Sequence, residues 1–332
     1  MNAAEIHHYL SIQHRNIYQE AELFTQNRKK VAEYKDVLCH PFKNELGLEL
    51  EGSTLKASNG DIFNVEDDVI DFRIISTKED KVNIHWSELN KTLVNYQRYL
   101  TPYVLLNSLP IYNYIGEKTG LNKIKDALVI DVGAGTGQIF GTFFYHQESI
   151  NYFLVDPNLR LLHDQFLRLY PKIATFPLSH LLSYAENLPF KSGVADLVLS
   201  LSSIDHFKDY KQFMREAHRV LKNGGQILIA SHLDTVSRET KKVNEPNELK
   251  TIVIKNSLMK KVYNRLNLKF EELSRKFHNK KRGNIEDDHM HHFDGTELLE
   301  KSLKECGFEV ELAEVFKHNF FIKAKKVSNF EL

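Results

Sequence analysis

Cysteine is nearly absent: Cys39 and Cys306 are the only two in 332 residues. A pair so far apart supports neither a disulfide framework nor CxxC-type metal spacing, so reduced, buried thiols are expected. Neither sign of charge is in excess, with 44 Lys and Arg against 44 Asp and Glu. No overall field therefore draws the chain onto nucleic acid or an anionic membrane, and any such attraction must be local. Long apolar runs are missing too. No window approaches the roughly 20 apolar residues that span a bilayer, and the opening "MNAAEIHHYLSIQHRNIYQEAELF" lacks an apolar core of signal-peptide length. The expectation is a cytoplasmic protein without a membrane partner. Internal repeats and low-complexity tracts are also lacking, which excludes solenoid and linker-like architectures.

What is present is a 42% hydrophobic content, enough for a substantial core. From about Asp36 to Phe72, short alternating segments ("LGLELEG", "STLKAS", "DIFNVEDDVIDF") are broken by Gly and Asn and predict a small β-rich unit. From about Trp86 to Asp126, the spacing of Leu93, Tyr96, Leu100, Val104 and Leu105 predicts helix, interrupted at Pro102 and Pro110. Beyond Ala127 the runs "ALVIDV", "NYFLVD", "ADLVLSL" and "QILIAS" alternate with segments of helical length. That alternation is the pattern of a parallel sheet covered on both faces. Ligands of such sheets sit beyond the carboxyl ends of the strands, so Gly133 to Gly137, Asp156, Ser200 to His206 and Ser231 to Leu233 become site candidates.

The stretch "VIDVGAGTGQ" concentrates the signal. Asp131 is followed by Gly133, Ala134, Gly135, Thr136 and Gly137, a turn whose glycines permit positive φ or close backbone approach. A dinucleotide fingerprint, G-x-G-x-x-G/A, requires a small residue at position 138, where this chain has Gln138. The nicotinamide reading weakens accordingly. Asp156, about twenty residues on at the end of the second run, is placed to accept from both hydroxyls of a ribose.

The Asp-x-Gly-x-Gly-x-Gly string resembles motif I of class I S-adenosylmethionine-dependent methyltransferases. "YAENLPF", Tyr184 to Phe190, resembles the adenine-binding segment of many small-molecule methyltransferases. The match covers Ala185, Glu186, Leu188, Pro189 and Phe190; Tyr184 stands where the family commonly has an Asp that accepts from the adenine amino group. A backbone carbonyl or the phenol oxygen would replace that contact. "ADLVLSLSSIDHFKDYKQFMREAHRVLKNGGQILIASH" resembles the fourth strand, a helix, the R-V-L-K-x-G-G turn and the fifth strand, and "GFEVELAEVF" with "NFFIKAKK" resembles the closing antiparallel pair. The resemblance runs from about Trp86 to Val327.

It implies a doubly wound, Rossmann-like α/β fold with a seven-stranded sheet, an antiparallel closing pair, a small N-terminal β unit and a helical cap insertion. The expected domains are 1–85 and 86–332, with the cap at about 234–287. The implied cofactor is S-adenosyl-L-methionine, held by Asp131, Gly133, Ala134, Gly135, Gly137, Asp156, Ala185, Glu186 and Ser200. The implied acceptor is a small or medium-sized metabolite, methylated at oxygen, with nitrogen and carbon as alternatives. An oxygen acceptor needs a base, a task suited to imidazole. The candidates are His206, beside Asp205 in "SSIDHF", and His289 in "EDDHMHHFDG", with His291 as a further possibility in that string.

Two features invite other readings. "LCHPFKNELGLELEGSTLKASNGDIFNVEDDVIDF" resembles a zinc-ribbon-like unit that precedes some methyltransferases, but only Cys39 of the four ligands is kept. Phe42, Lys56 and Asn59 occupy the other three positions, so no zinc is expected. The insertion is basic, and Leu258, Val262, Leu266, Phe270, Leu273 and Phe277 recur at helical spacing as a lid over the acceptor site. A macromolecule methylase using that basic face on RNA or protein, and an inactive partner subunit of the same fold, remain the rival readings. No aromatic-and-basic string of a recognised RNA-binding module accompanies it, so nucleic acid is not the expected acceptor.

Overall fold

A computed structural model describes residues 30–73, 111–135, 149–157, 178–233 and 290–327. The expected helices around Leu93 to Leu105, the cap, Gly137 and His289 lie outside these residues. The chain divides into two units, Met1–Thr235 with Met290–Leu332, and Val236–His289. The account below concerns the first. Among the described residues no helix is long and apolar enough to cross a membrane.

Among the described residues, eleven strands form one sheet. In chain order they are β1 (Leu48–Glu51), β2 (Thr54–Ala57), β3 (Ile62–Glu66), β4 (Val69–Asp71), β5 (Leu128–Val132), β6 (Asn151–Val155), β7 (Leu178–Leu182), β8 (Ala195–Leu201), β9 (Leu221–His232), β10 (Phe308–Phe316) and β11 (Asn319–Lys326). The last seven lie in the order β7-β6-β5-β8-β9-β11-β10. β5 to β9 pair in parallel, and β11 and β10 close the edge antiparallel. This is the expected doubly wound sheet.

Burial on both faces explains the unbroken apolar runs. Along β5, Val129 joins one core with Tyr152, Leu154, Leu197 and Leu228, whereas Ile130 and Val132 join the opposite core with Phe153, Val155, Val198 and Ile229. Successive side chains point to opposite faces, so a strand covered on both sides is predominantly apolar on both. The helix Tyr210–Val220 covers one face with Phe213, Met214, Ala217 and Val220, spaced for a single stripe. Its start is fixed by Asp209, whose Oδ1 accepts from Gln212 N at 2.9 Å.

The small N-terminal strands do not stand apart. β1 to β4 form an antiparallel meander, and β4 pairs in parallel with β7, in the register Val69↔His180 to Asp71↔Leu182. The sheet thus exceeds the expected seven strands by four. Glu66↔Val69 and Phe316↔Asn319 close two-residue hairpins through Asp67–Asp68 and Lys317–His318, all four at positive φ, the geometry that matches strand twist. At the ribbon-like positions Cys39 is fully buried, and burial pushes its thiol up to about 11 against the pull of Arg219. Phe42 is 48% exposed. His40 Nε2 meets Asp61 Oδ2 at 2.8 Å, and His40 Nδ1 accepts from Phe42 N, so a hydrogen-bonded imidazole organises this loop.

Candidate functional site

The sheet reverses its winding between β5 and β8, and the glycine turn leaves β5 at that point. Gly133 (φ 71°) and Gly135 (φ 52°) both adopt the left-handed region, but for different reasons. A Cβ on Gly133 would run into the Ser203 side chain, with Ser203 Oγ 2.7 Å away. Among the described residues, a Cβ on Gly135 would meet nothing within 4 Å. The first glycine is thus required by the protein's own packing, while the second leaves open space above the turn. Val155 O accepts from Gly133 N (2.8 Å) and Ala134 N (3.3 Å), and Asp156 Oδ2 accepts from Gly135 N at 3.0 Å. The half-buried Asp156 carboxylate therefore already holds the turn.

Beneath the turn lies a buried polar layer. Asp131 is 1% exposed, and its Oδ2 accepts from Tyr152 OH at 2.7 Å. Burial pushes the Asp131 carboxyl up to about 7; the Tyr152 bond opposes this and the nearby Asp156 charge adds to it. Ser200 is fully buried and its Oγ lies 2.9 Å from Ser203 Oγ, which donates to Val132 O at 3.0 Å. Ser200 thus reaches the start of the turn through Ser203, and Asp131 is held by Tyr152.

The segment after β7 flanks the Asp156 side, where Asp156 N donates to Leu181 O. Ala185 is buried, and Glu186 Oε1 accepts from Lys208 N (2.8 Å) and Asp209 N (3.2 Å), tying the segment to the start of the helix Tyr210–Val220. The Lys208 ammonium lies 5.9 Å from the Tyr184 ring centroid. Arg73 donates to both carboxylate oxygens of Asp71 and to Pro157 O at 2.9 Å, fixing the chain just past Asp156.

On the other side, a 3-10 turn Ile204–His206 follows β8. His206 Nε2 is 3.8 Å from Asp205 Oδ2, and Ser231 Oγ, at the end of β9, donates to Asp205 Oδ1 at 3.2 Å. Asp205 O accepts from Met290 N (2.8 Å) and His291 N (3.1 Å), which brings Met290 and His291 to the same place. The His291 ring stands edge-on to Tyr210, with centroids 4.8 Å apart.

The structure thus groups Gly133, Ala134, Gly135, Asp156, Ala185 and Glu186 along one stretch of the carboxyl edge, with His206 beyond the next strand. Sequence reasoning placed Ser203 only within the candidate stretch Ser200 to His206, and it missed Tyr152. The only available signal for Ser203 was its place among the polar residues just after a strand, and Tyr152 reads as an ordinary apolar strand residue. Arg73, more than 80 positions from its Pro157 partner, carried none.

Residues 130–229 match a family described as a methyltransferase domain. Norajmaline N-methyltransferase of Rauvolfia serpentina is 41% identical over 71 residues, which are 20% of this chain and 24% of that protein. The chloroplastic 2-methyl-6-phytyl-1,4-hydroquinone methyltransferase of Spinacia oleracea is 36% identical over 114 residues, 33% of this chain and 30% of that one. The chain spans less than half the length of these curated relatives. A solved SAM-dependent methyltransferase from Aquifex aeolicus aligns over 73% of this chain and 98% of its own, at 15% identity and a TM-score of 0.46.

Proposed function

We propose, from the match of residues 130–229 to the methyltransferase-domain family, that the protein transfers a methyl group from S-adenosylmethionine to an oxygen of a small or medium-sized metabolite. The observation that carries this reading is the open turn at Gly135, with the Asp156 carboxylate fixed against its N–H. A Cβ at Gly135 would project into that open space, and the acidic group beside it suits a ribose diol, so these residues fit the cofactor. The bound cofactor supplies an activated sulfonium methyl.

What the chain must add is alignment and, for an oxygen acceptor, removal of a proton. Gly133 to Gly135 and Asp156 would hold the amino-acid and ribose portions, and Ala185 with Glu186 would border the adenine. Such positioning is worth on the order of 7–11 kcal/mol where a bimolecular step becomes effectively unimolecular. His206, with the Asp205 carboxylate 3.8 Å from its Nε2 and Asp205 in turn held by Ser231, is the described candidate for the base, and His289 is its alternative.

Calorimetry with S-adenosylmethionine, S-adenosylhomocysteine and NAD, followed by transfer of labelled methyl to a panel of phenols, alcohols and amines, tests the reading. Binding of the first two but not NAD, with label in an oxygen acceptor, is expected. Binding without transfer would favour the partner-subunit role. Labelling of RNA or protein alone would overturn the small-acceptor reading.

A further inference from the structure

The stretch Leu188 to Lys191 carries an unusual set of backbone bonds. Glu216 Oε2 accepts from Leu188 N at 2.9 Å. Arg219 donates to Leu188 O at 2.8 Å and to Phe190 O at 2.5 Å. The same guanidinium is paired with both carboxylate oxygens of Glu216, at 2.8 and 2.7 Å. On the opposite side, Pro189 O accepts from Cys39 N at 3.1 Å, Lys191 N donates to Val37 O at 2.9 Å, and Leu38 bridges Phe190 antiparallel. With Phe190 N bonded to Leu188 O, every backbone polar group from Leu188 N to Lys191 N has a partner.

An irregular segment held this completely has one conformation available to it. The Glu216 and Arg219 side chains are 8% and 16% exposed. A pair so enclosed contributes little net stability, because desolvation offsets the attraction, but it sets geometry sharply. What it sets lies immediately upstream: Ala185 and Glu186, beside Asp156 on the carboxyl edge of the sheet.

We propose that Arg219, with Glu216 on its own helix and Val37 to Cys39 of the segment that leads into the N-terminal strands, positions the adenine-binding segment, so that this N-terminal segment is part of the cofactor site. The proposal rests on the methyltransferase reading. It assigns that segment a function without metal or partner: Val37 to Cys39 form the outer wall against which Leu188 to Lys191 is fixed, and the meander that follows is anchored to the sheet by the pairing of β4 with β7.

The test uses the full chain, with Arg219→Gln and Arg219→Lys, S-adenosylhomocysteine as the calorimetric probe, and amide hydrogen exchange read by segment. Arg219→Gln should weaken binding about tenfold or more, a loss of about 1.4 kcal/mol at tenfold. Exchange should quicken in 184–191 and 37–40 and stay unchanged in β5. Arg219→Lys, which keeps the charge but not the fork, should recover part of the affinity. Should Arg219→Gln fail to fold, Glu216→Gln serves instead. It keeps an acceptor for Leu188 N and should show the same pattern in milder form. Folded Arg219→Gln protein with unchanged affinity, or exchange that quickens equally across the sheet, would overturn the positioning role. Wild-type protein that fails to bind S-adenosylhomocysteine overturns the cofactor reading itself, whereas wild-type binding with unaltered variant binding overturns only this proposal.

Discussion

On the β5–β6 side of the site, the groups that would face a ligand are chiefly backbone, shaped by Gly133 and Gly135 and braced by Asp156. On the β8–β9 side they are side chains, Asp205, His206 and Ser231, brought together with Met290 and His291 from a distant return of the chain. The first side is set by conformations that few residues can adopt, so it leaves a mark in the sequence. The second depends on side chains that many surfaces carry, and only their meeting is specific. A general cofactor and a particular acceptor would divide between two such sides in this way.

The largest expected effect separates the two glycines of the first side. Gly133→Ala places a Cβ against Ser203 at positive φ and should cost about 2–5 kcal/mol of stability, combining the overpacking and left-handed terms. Gly135→Ala meets open space and should cost only about 1–2 kcal/mol. Urea unfolding distinguishes them, and Ser203→Gly should rescue the Gly133 variant alone. Equal losses at the two positions would erase the distinction drawn between packing and ligand space.

Next comes the second side. If His206 is the base, His206→Ala should lower turnover about 100-fold while S-adenosylhomocysteine affinity stays intact. Calorimetric loss of binding in that variant would instead give the residue a structural role. The same pair of measurements on His289→Ala decides between the two histidines.

Asp156→Ala returns to the first side with a smaller effect. Losing a charged acceptor worth roughly 1.5–3 kcal/mol per bond should weaken cofactor binding tenfold or more and free the Gly135 N–H. Normal binding by this variant would remove Asp156 from the site.

The smallest effect concerns the layer beneath. The Asp131 carboxyl is held near 7 when folded against an ordinary 3.8, so between those values the native state keeps a proton that the unfolded chain has released. Stability is therefore full below about pH 4 and falls as pH rises toward 7, by about 1 kcal/mol per pH unit or less. Asp131→Asn keeps an acceptor for Tyr152 OH and should flatten that slope. Denaturant midpoints at pH 5, 6 and 7 that decline in parallel for both proteins would assign the slope to another group.

The runs that became β5, β6, β8 and β9 are legible because a strand covered on both faces is predominantly apolar. β7 escaped this rule. "LSHLL" carries Ser179 and His180, which look like a break, yet both are almost completely buried between β6 and β4. The meander β1 to β4 is visible from its alternation and Gly-rich turns, but its parallel pairing with β7 joins strands more than 100 residues apart, and no local pattern specifies such a partner. At the site, Gly133, Gly135 and Asp156 are marked by the rarity of what they do. Glu186 was read as a ligand contact, and the structure shows its carboxylate accepting from Lys208 and Asp209 N–H groups.

By itself, then, the sequence determined the alternation of strands and helices, the turn at the end of β5 and the acidic residue opposite it, because backbone conformation and two-sided burial restrict which residues can occupy those positions. Tertiary structure alone decided that Ser203 makes Gly133 obligatory, that Asp205 gathers Ser231 and His291, and that Arg219 and the segment Val37 to Cys39 grip one loop from two sides. Each of those contacts joins groups that are ordinary in their own neighbourhoods, and only the folded sheet brings them within hydrogen-bond or van der Waals reach.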